Sequence, residues 1–565
     1  MTRLWTAALI AAALSYGAHP KLARDLDGAD PEATVNVIVQ FKRTAPSPSH
    51  RDRIRDRGLR HKASLPLINA EVYAARVADL ERIAEDPEVA YIARDHQVHG
   101  ANYNGQVDRG WMLVTGIADP NGALRYEGSN VGVALLDSGL DAVPDLPNIV
   151  YRQSFLPNDS SPSDAYGHGT HVAGLIAGSG KMSTCATCFY KVRGVAPKVK
   201  LVSLRVLDEN GLGTDSSVIA AINQAIALKS KYNIRVMNLS LGRPVYGPYT
   251  SDLLCQAVEK AWKSGIVVVV AAGNEGRNST YGNSGYGTIL APANDPYVIT
   301  VGAMNTGGSA ARAESKIASY SSKGPALFDH VIKPDLVAPG NAIVSTRAYN
   351  VGLETRYPNN IVPTTAYDNA TYQPDYFQLS GTSMAAGYVS GAAALLIQQN
   401  PKITPDQVKA RLMKTASKTF PVMSTASDPS TGALYTSYYD IFTVGAGYLD
   451  IEAALANNDV FPGVALSPVA AYDPKNGTGS MQVAAQSSLG GSSIMWGTTI
   501  VWGTNVIQGS TIVWGTTIVW GTSIVWGTNV DGSSGFDAVW GNRALWGAAT
   551  TSSTESLTVA INGEK

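Results

Sequence analysis

Between Val131 and Ala303 the chain returns five times to a short run of Val, Leu, Ile and Ala that does not alternate with polar residues: VGVALLD, VKLVSLRVL, VMNLSLG, GIVVVVAAGN and YVITVGA. A strand with one wet face reads as alternation, whereas an unbroken apolar run needs burial on both faces, as in a parallel sheet covered by helices. Helical stretches fall between and after these runs: HVAGLIAG, SSVIAAINQAIAL, SDLLCQAVEKAWKSG and SMAAGYVSGAAALLIQQNP. The spacing predicts an α/β domain over residues 104–455, a parallel sheet flanked by helices. Functional groups in such sheets gather at the carboxyl ends of the strands.

Composition narrows the classes of function. The 565 residues carry 44 Lys and Arg against 45 Asp and Glu, a formal net charge of −1. A nucleic-acid binder needs a basic surface that displaces counterions, so nucleic acid is not an expected partner. Three cysteines are too few to staple a chain this long, and packing must hold the core. Arg3 followed by the apolar run Leu4–Leu14 and small residues near Gly17 reads as a secretory signal over residues 1–18, which predicts export to the exterior or the cell envelope. A short membrane anchor is the other reading, but the run is brief for a span.

Residues 33–98 form a separate segment. VNVIVQF alternates like a strand, LINAEVYAARV supplies a second extended stretch, DLERIA is helical in composition, and EVAYIA alternates again. RDRIRDRGLRHK, between the first two strands, is dense in charge and reads as a solvated helix face. The order predicts a small ferredoxin-like α+β module.

Three places in the central region carry chemistry. VGVALLDSG ends a buried strand in Asp137, whose carboxylate needs a partner unless it merely caps the following turn. GHGTHVAGLIAG sets His168 at a helix entrance; the pair His168 and His171 lacks an HExxH frame or an acidic third ligand, so zinc is discounted. QLSGTSMAAG opens a long apolar helix with Ser383, which could simply be an N-cap. A serine hydroxyl becomes a nucleophile when an imidazole accepts its proton and a carboxylate orients that imidazole.

The order DSG, HGTHVAG, GTSMA, together with VVVVAAGNEG, resembles the subtilisin-like serine peptidases, the subtilases. The resemblance runs from about Ala33 to Leu455, because the leading module is similar to the subtilisin propeptide/inhibitor domain. It implies that Asp137, His168 and Ser383 are the catalytic residues and that Asn274 donates to the oxyanion beside the backbone N–H of Ser383. It implies a secreted serine endopeptidase acting on polypeptides through an acyl-enzyme, made as a self-inhibited precursor whose own propeptide is an intramolecular inhibitor. It also gives two substrate-binding edges: Gly211, Leu212 and Gly213 from DENGLG, and Ser240, Leu241 and Gly242 from NLSLG. No cofactor is required for catalysis. A structural calcium is allowed but not assignable, since the loop from Asp137 to Asp145 is short, and Asp145 is its one named candidate ligand. Asp164 lies where an acid could favour a basic residue beside the cleaved bond. Gly387 departs from the family, which has proline there; a glycine in the first turn should loosen it.

Other features stay apart from this reading. Cys185 and Cys188 could form a tight local disulfide, and Cys255 reads as a small buried apolar residue. The tail, residues 456–565, repeats a W-G-T-x-[IV]-[IV] hexad, with Trp-Gly at 496, 502, 514, 520, 526, 540 and 546, and has no charge from Asn476 to Val530. An even period keeps every Trp on one face of an extended strand. The tail is therefore a small β-rich solenoid or strand-stacking tether for self-association or surface attachment, a flexible extension, or a carbohydrate-binding surface built on the Trp rings. A catalytically silent scaffold using that tail for assembly is the competing class of function.

Overall fold

The structure, a computed structural model, describes residues 19–26, 29–42, 59–100, 126–183, 192–278, 284–309, 311–367, 373–428 and 431–473, with shorter stretches up to 513. The signal segment, Cys185, Cys188 and most of the Trp-Gly repeats lie outside the described residues. The chain divides into two compact units, Met1–Asp95 and His96–Lys565.

In the first unit, β1 (Thr34–Phe41), β2 (Arg60–Leu65), β3 (Ala70–Arg76) and β4 (Val89–Arg94) form a sheet in the order β2-β3-β1-β4. All three pairings are antiparallel. Helix α1 (Val77–Ala84) connects β3 to β4 and buries Leu80, Ile83 and Ala84. They join Val37, Val39, Tyr73 and Ile92 in one apolar cluster. This strand order is the ferredoxin-like one. Arg60-His61-Lys62, expected on a helix, opens the edge strand β2, where all three side chains are exposed; charge on a sheet edge serves solubility as it does on a helix. Residues 51–58 lie outside the described set.

The second unit is built on a mainly parallel sheet. Each of the five apolar runs becomes a member: β6 (Gly132–Asp137), β8 (Lys200–Arg205), β10 (Ile234–Leu239), β12 (Val267–Ala271) and β13 (Ile299–Asn305). They lie in the order β13-β12-β10-β6-β8 with parallel neighbours throughout. Every side chain of β6 and β12 is buried, as unbroken apolar runs require. Ile149–Ser154 (β7) adds a parallel edge beside β8, Leu336–Pro339 (β15) pairs in parallel with β13, and Lys316–Ile317 (β14) closes antiparallel to it.

Helices α2 (His168–Ala177), α3 (Asp215–Tyr232), α4 (Leu253–Lys263) and α5 (Thr382–Gln399) fall on the four stretches read as helical. Helix α5 is hydrophobic nearly all round, from Thr382 to Ile397. Such a helix belongs inside the protein rather than on its surface. A further helix, Pro405–Thr415, starts with a capping box between Thr404 and Gln407 and Pro at its first position. Beyond it, part of the tail packs on the body: Ser467 is buried and its N–H donates to the Pro296 carbonyl, while Ala470 N–H donates to that of His330. Val469–Asp473 and Thr478–Gln482 begin an antiparallel sheet that the backbone of Thr511–Val513, Asn505–Gln508 and Ile500–Trp502 extends. The described hexads thus run as short strands folded back on one another rather than as one continuous strand.

Candidate active site

Two helices present their first turns at the carboxyl end of the sheet. His168 is the first residue of α2, and Ser383 is the second of α5. The helices pack side by side: a methyl group added at Gly387 of α5 would lie 3.4 Å from Leu175 Cβ and 3.6 Å from Val172 Cγ1, both on α2. Those are ordinary contacts, and Gly387 sits in the second turn rather than the first, so the expected loosening of the first turn does not follow from this glycine.

Asp137, the last residue of β6, accepts from the neighbouring N–H of Ser138 at 2.8 Å and meets His168 Nδ1 at 2.6 Å through the same Oδ1. It therefore both caps the turn and orients the imidazole. His168 Nε2 is buried and has no hydrogen-bond partner among the described residues. The Ser383 hydroxyl lies 3.3 Å from the carbonyl oxygen of Ser240, and the Ser240 hydroxyl donates back to the Ser383 carbonyl at 3.1 Å. The end of β10 is thereby tied to the start of α5. Asn274, just past β12, accepts at Oδ1 from the N–H and the hydroxyl of Thr382, each at 3.0 Å. Its amide nitrogen is buried with no partner among the described residues.

Gly167, the N-cap of α2, contributes no side chain, so the orphan donors of that helix are satisfied from elsewhere. Ser138 Oγ accepts from Gly169 N–H at 3.0 Å, and the Asp164 carboxylate accepts from Thr170 N–H and Gly167 N–H, each at 2.7 Å. Ser138 also donates to Asp164 at 2.7 Å. These contacts fix the angle at which His168 leaves its helix. They also correct the sequence expectation for Asp164: it is 1 % exposed and spends its oxygens on internal donors, so no oxygen is left to select a basic substrate residue. Burial pushes its pKa up against the pull of those hydrogen bonds. The role of Ser138 was invisible in sequence because Asp164 and Gly169 lie 26 and 31 residues from it, whereas Asp164 also caps a helix that begins only four residues on; the DSG motif, read only as a turn, was the available signal for Ser138.

His171 does not pair with His168 as a metal ligand. Its Nε2 meets the carbonyl oxygens of Ile343 and Phe377 at 3.1 and 3.0 Å, binding two strands together. Burial, then the nearby His168, push its pKa down to about 3, so it is neutral. Asp145 is also engaged: Oδ1 accepts from Met182 N–H at 2.9 Å and Oδ2 from the Tyr376 hydroxyl. No group of three or more His, Cys, Asp or Glu side chains placed to hold a metal ion is found among the described residues, and calcium stays unassigned. Cys255 is buried with its thiol 3.3 Å from the Asn294 side-chain oxygen, and burial pushes its pKa far up.

The two expected substrate edges face each other across a strand of the same chain. β5 (Gln97–Gly100) lies between β9 (Leu212–Thr214) and β11 (Leu241–Gly242), antiparallel to both. Leu212 pairs with His99, Gly213 with Val98, Leu241 with Gly100 and Gly242 with His99. Gly211 and Ser240 stand outside the ladder, Gly211 closing a turn onto Asp208 and Ser240 holding Ser383. Thr214, opposite Gln97, completes the first wall and was not expected. A side chain at Gly213 would come within 2.2 Å of the Val206 carbonyl and 3.1 Å of Val98 Cγ2, so only glycine lets the strand approach.

Comparison with known proteins agrees with this architecture. The subtilase family model matches residues 128–435. The chain is 37% identical over 301 residues to serine protease AprX of Bacillus subtilis, spanning 52% of this chain and 62% of that one. It is 35% identical over 384 residues to subtilisin E of the same species, spanning 67% of this chain and 84% of the relative. Among solved structures, fervidolysin from Fervidobacterium pennivorans, a keratinolytic enzyme related to subtilisin, shares the fold with a TM-score of 0.58 at 22% identity, over 81% of this chain and 66% of that one. With a family model covering more than half of its length, the chain belongs to the subtilase family of serine-type endopeptidases.

Proposed function

We propose that the protein is a secreted endopeptidase in which Ser383 is the nucleophile, His168 the general base, Asp137 the group that orients and charges against His168, and Asn274 a donor to the oxyanion. The observation that carries this reading is the 2.6 Å contact of Asp137 with Nδ1 of an imidazole whose Nε2 has no other partner among the described residues. Orientation from the Nδ1 side keeps the basic lone pair on Nε2. In the reaction, Nε2 takes the Ser383 hydroxyl proton as Oγ adds to the scissile carbonyl carbon. The carbonyl oxygen becomes an oxyanion facing the Asn274 amide and the first turn of α5. Collapse breaks the C–N bond, the amine leaves with the proton from His168, and water hydrolyses the Ser383 ester by the same two proton transfers.

The pairing of β5 with both walls supports a second part of the proposal. A polypeptide adds as a strand between Leu212–Thr214 and Leu241–Gly242, and in the precursor the chain's own residues 97–100 hold that position. Residues 33–98 then act as the inhibitory leader, removed by a cut beyond β5. The Trp-Gly hexads are read as an extension for self-association or surface attachment. A Ser383→Ala precursor should accumulate uncut where the natural chain is processed to a shorter form, as seen by intact-mass measurement of secreted material. Equal processing of both would overturn self-maturation.

A further inference from the structure

The walls of the groove do not end with β9 and β11. Asp215 follows Thr214 and Arg243 follows Gly242, and these two residues meet: Arg243 Nε lies 3.0 Å from each carboxylate oxygen of Asp215. The remaining guanidinium donors reach Asp252 at 2.9 and 3.0 Å and the Pro244 carbonyl at 3.1 Å. The Arg243 and Asp215 side chains are 4% and 2% exposed. One arginine between two carboxylates fixes the separation of the walls and leaves a net negative charge beside them.

Tyr246 lies against Arg243, with the guanidinium carbon 5.6 Å from its ring centroid. Its ring is half-buried, and the imidazole of His96 stacks on it at 4.1 Å between centroids and 18° between planes. The backbone continues the pairing to this point, since Asp215 N–H donates to the His96 carbonyl at 2.7 Å. His96 therefore occupies a place that any extended peptide in the groove would reach, two residues before the one held against Gly213.

We infer that Tyr246, held by Arg243, is a substrate subsite for a planar side chain, aromatic or imidazole, at the position that His96 fills in this chain. The inference rests on the reading of the β5 groove as the substrate site. Stacking on a fixed ring gains affinity through orientation, and such aromatic pairs correspond to about a three- to tenfold preference. The excess negative charge disfavours Asp or Glu at the same place.

The test uses the purified enzyme and synthetic peptides of the chain's own residues 93–107, ARDHQVHGANYNGQV, with His96 kept, His96→Ala or His96→Asp. Cleavage is followed by mass spectrometry and kcat/KM compared. The His peptide should be cut about three- to tenfold better than the Ala peptide, mainly through KM, and the Asp peptide less well than either. Tyr246→Ala should bring the His/Ala ratio close to one, and Tyr246→Phe, which keeps a ring, should restore it. Equal rates with His and Ala, or a ratio unchanged in Tyr246→Ala, would overturn the subsite while leaving peptidase activity standing. No cleavage of any peptide would overturn the groove assignment itself.

Discussion

Two buried polar clusters, one around Asp335 at the amino end of the parallel sheet and one around His168 at its carboxyl end, treat charge in opposite ways. At the amino end, Asp335 precedes β15 with every acceptor engaged: Oδ1 meets Ser467 Oγ at 2.5 Å and Lys409 Nζ at 3.2 Å, and Oδ2 meets Lys333 Nζ at 2.7 Å and Thr300 N–H at 2.8 Å. Lys409 also donates to the carbonyls of Pro296 and Val298 at 2.8 and 2.9 Å. At the carboxyl end, Asp137, His168 and Asn274 each keep a buried polar atom with no partner among the described residues. Buried polar groups are normally satisfied, because an unmade hydrogen bond costs about 1–3 kcal/mol. The saturated cluster is architecture, whereas the unsaturated one holds atoms ready for a group that arrives later.

If that contrast is correct, the two ends should fail differently. Asp335→Asn leaves Lys333 and Lys409 buried without their anion, and chemical unfolding should show a loss of about 3–5 kcal/mol. Turnover per folded molecule should be unchanged, and a stability loss below about 1 kcal/mol would erase the distinction. Burial alone would raise the Asp335 pKa, but the two lysines pull it below the usual carboxylate range, while burial pushes Lys409 down to about 7. Asn274→Ala should fall mainly on turnover. Loss of one such donor in subtilisin costs about 2.7–4 kcal/mol of transition-state stabilisation, or about 10²–10³ in kcat. The same fall in turnover is expected here with KM nearly unmoved; because alanine also removes the oxygen that accepts from the Thr382 N–H and hydroxyl, the stability loss should be about 1–3 kcal/mol, smaller than for Asp335→Asn, and unchanged turnover would contradict the assignment.

The smallest effect separates the two histidines of α2. His171 is structural, and its folded pKa lies below its unfolded value near 6.5. Its contribution is fully present above pH 6.5 and is lost as pH falls toward about 3, because the unfolded chain then binds the extra proton. Thermal unfolding followed from pH 7 to pH 4 should therefore slope less steeply in His171→Gln than in the natural chain. Identical slopes would mean that the neutral imidazole between the Ile343 and Phe377 carbonyls contributes nothing.

Much of this was legible in the sequence because it depends on local pattern. Val267–Ala271 can only be a strand buried on both faces, and the apolar run after Ser383 can only be an interior helix. The edge strands were less visible: Ile149–Ser154 alternates weakly with partly exposed side chains, and Leu336–Pro339 is four residues ending in proline. Both are defined by the neighbour they pair with, not by their own composition. The same reasoning applies at the site. Asp137, His168, Ser383 and Asn274 stand in short recognisable motifs, while Asp164 was misjudged because only folding shows that its oxygens are consumed by Ser138, Gly167 and Thr170. The hydrogen bonds that tie Ser240 to Ser383 could not be read either, because they join residues 143 apart in the chain.

The central claim is that His168 and Ser383 act on one proton. A serine-directed sulfonyl fluoride, with the labelled chain mapped by peptide mass spectrometry, reads that coupling directly, because the reagent adds only to an activated hydroxyl. The account predicts one adduct, on Ser383, in the natural protein and almost none in His168→Ala under the same conditions. Labelling at a different residue, or Ser383 labelled equally fast without the imidazole, would contradict it.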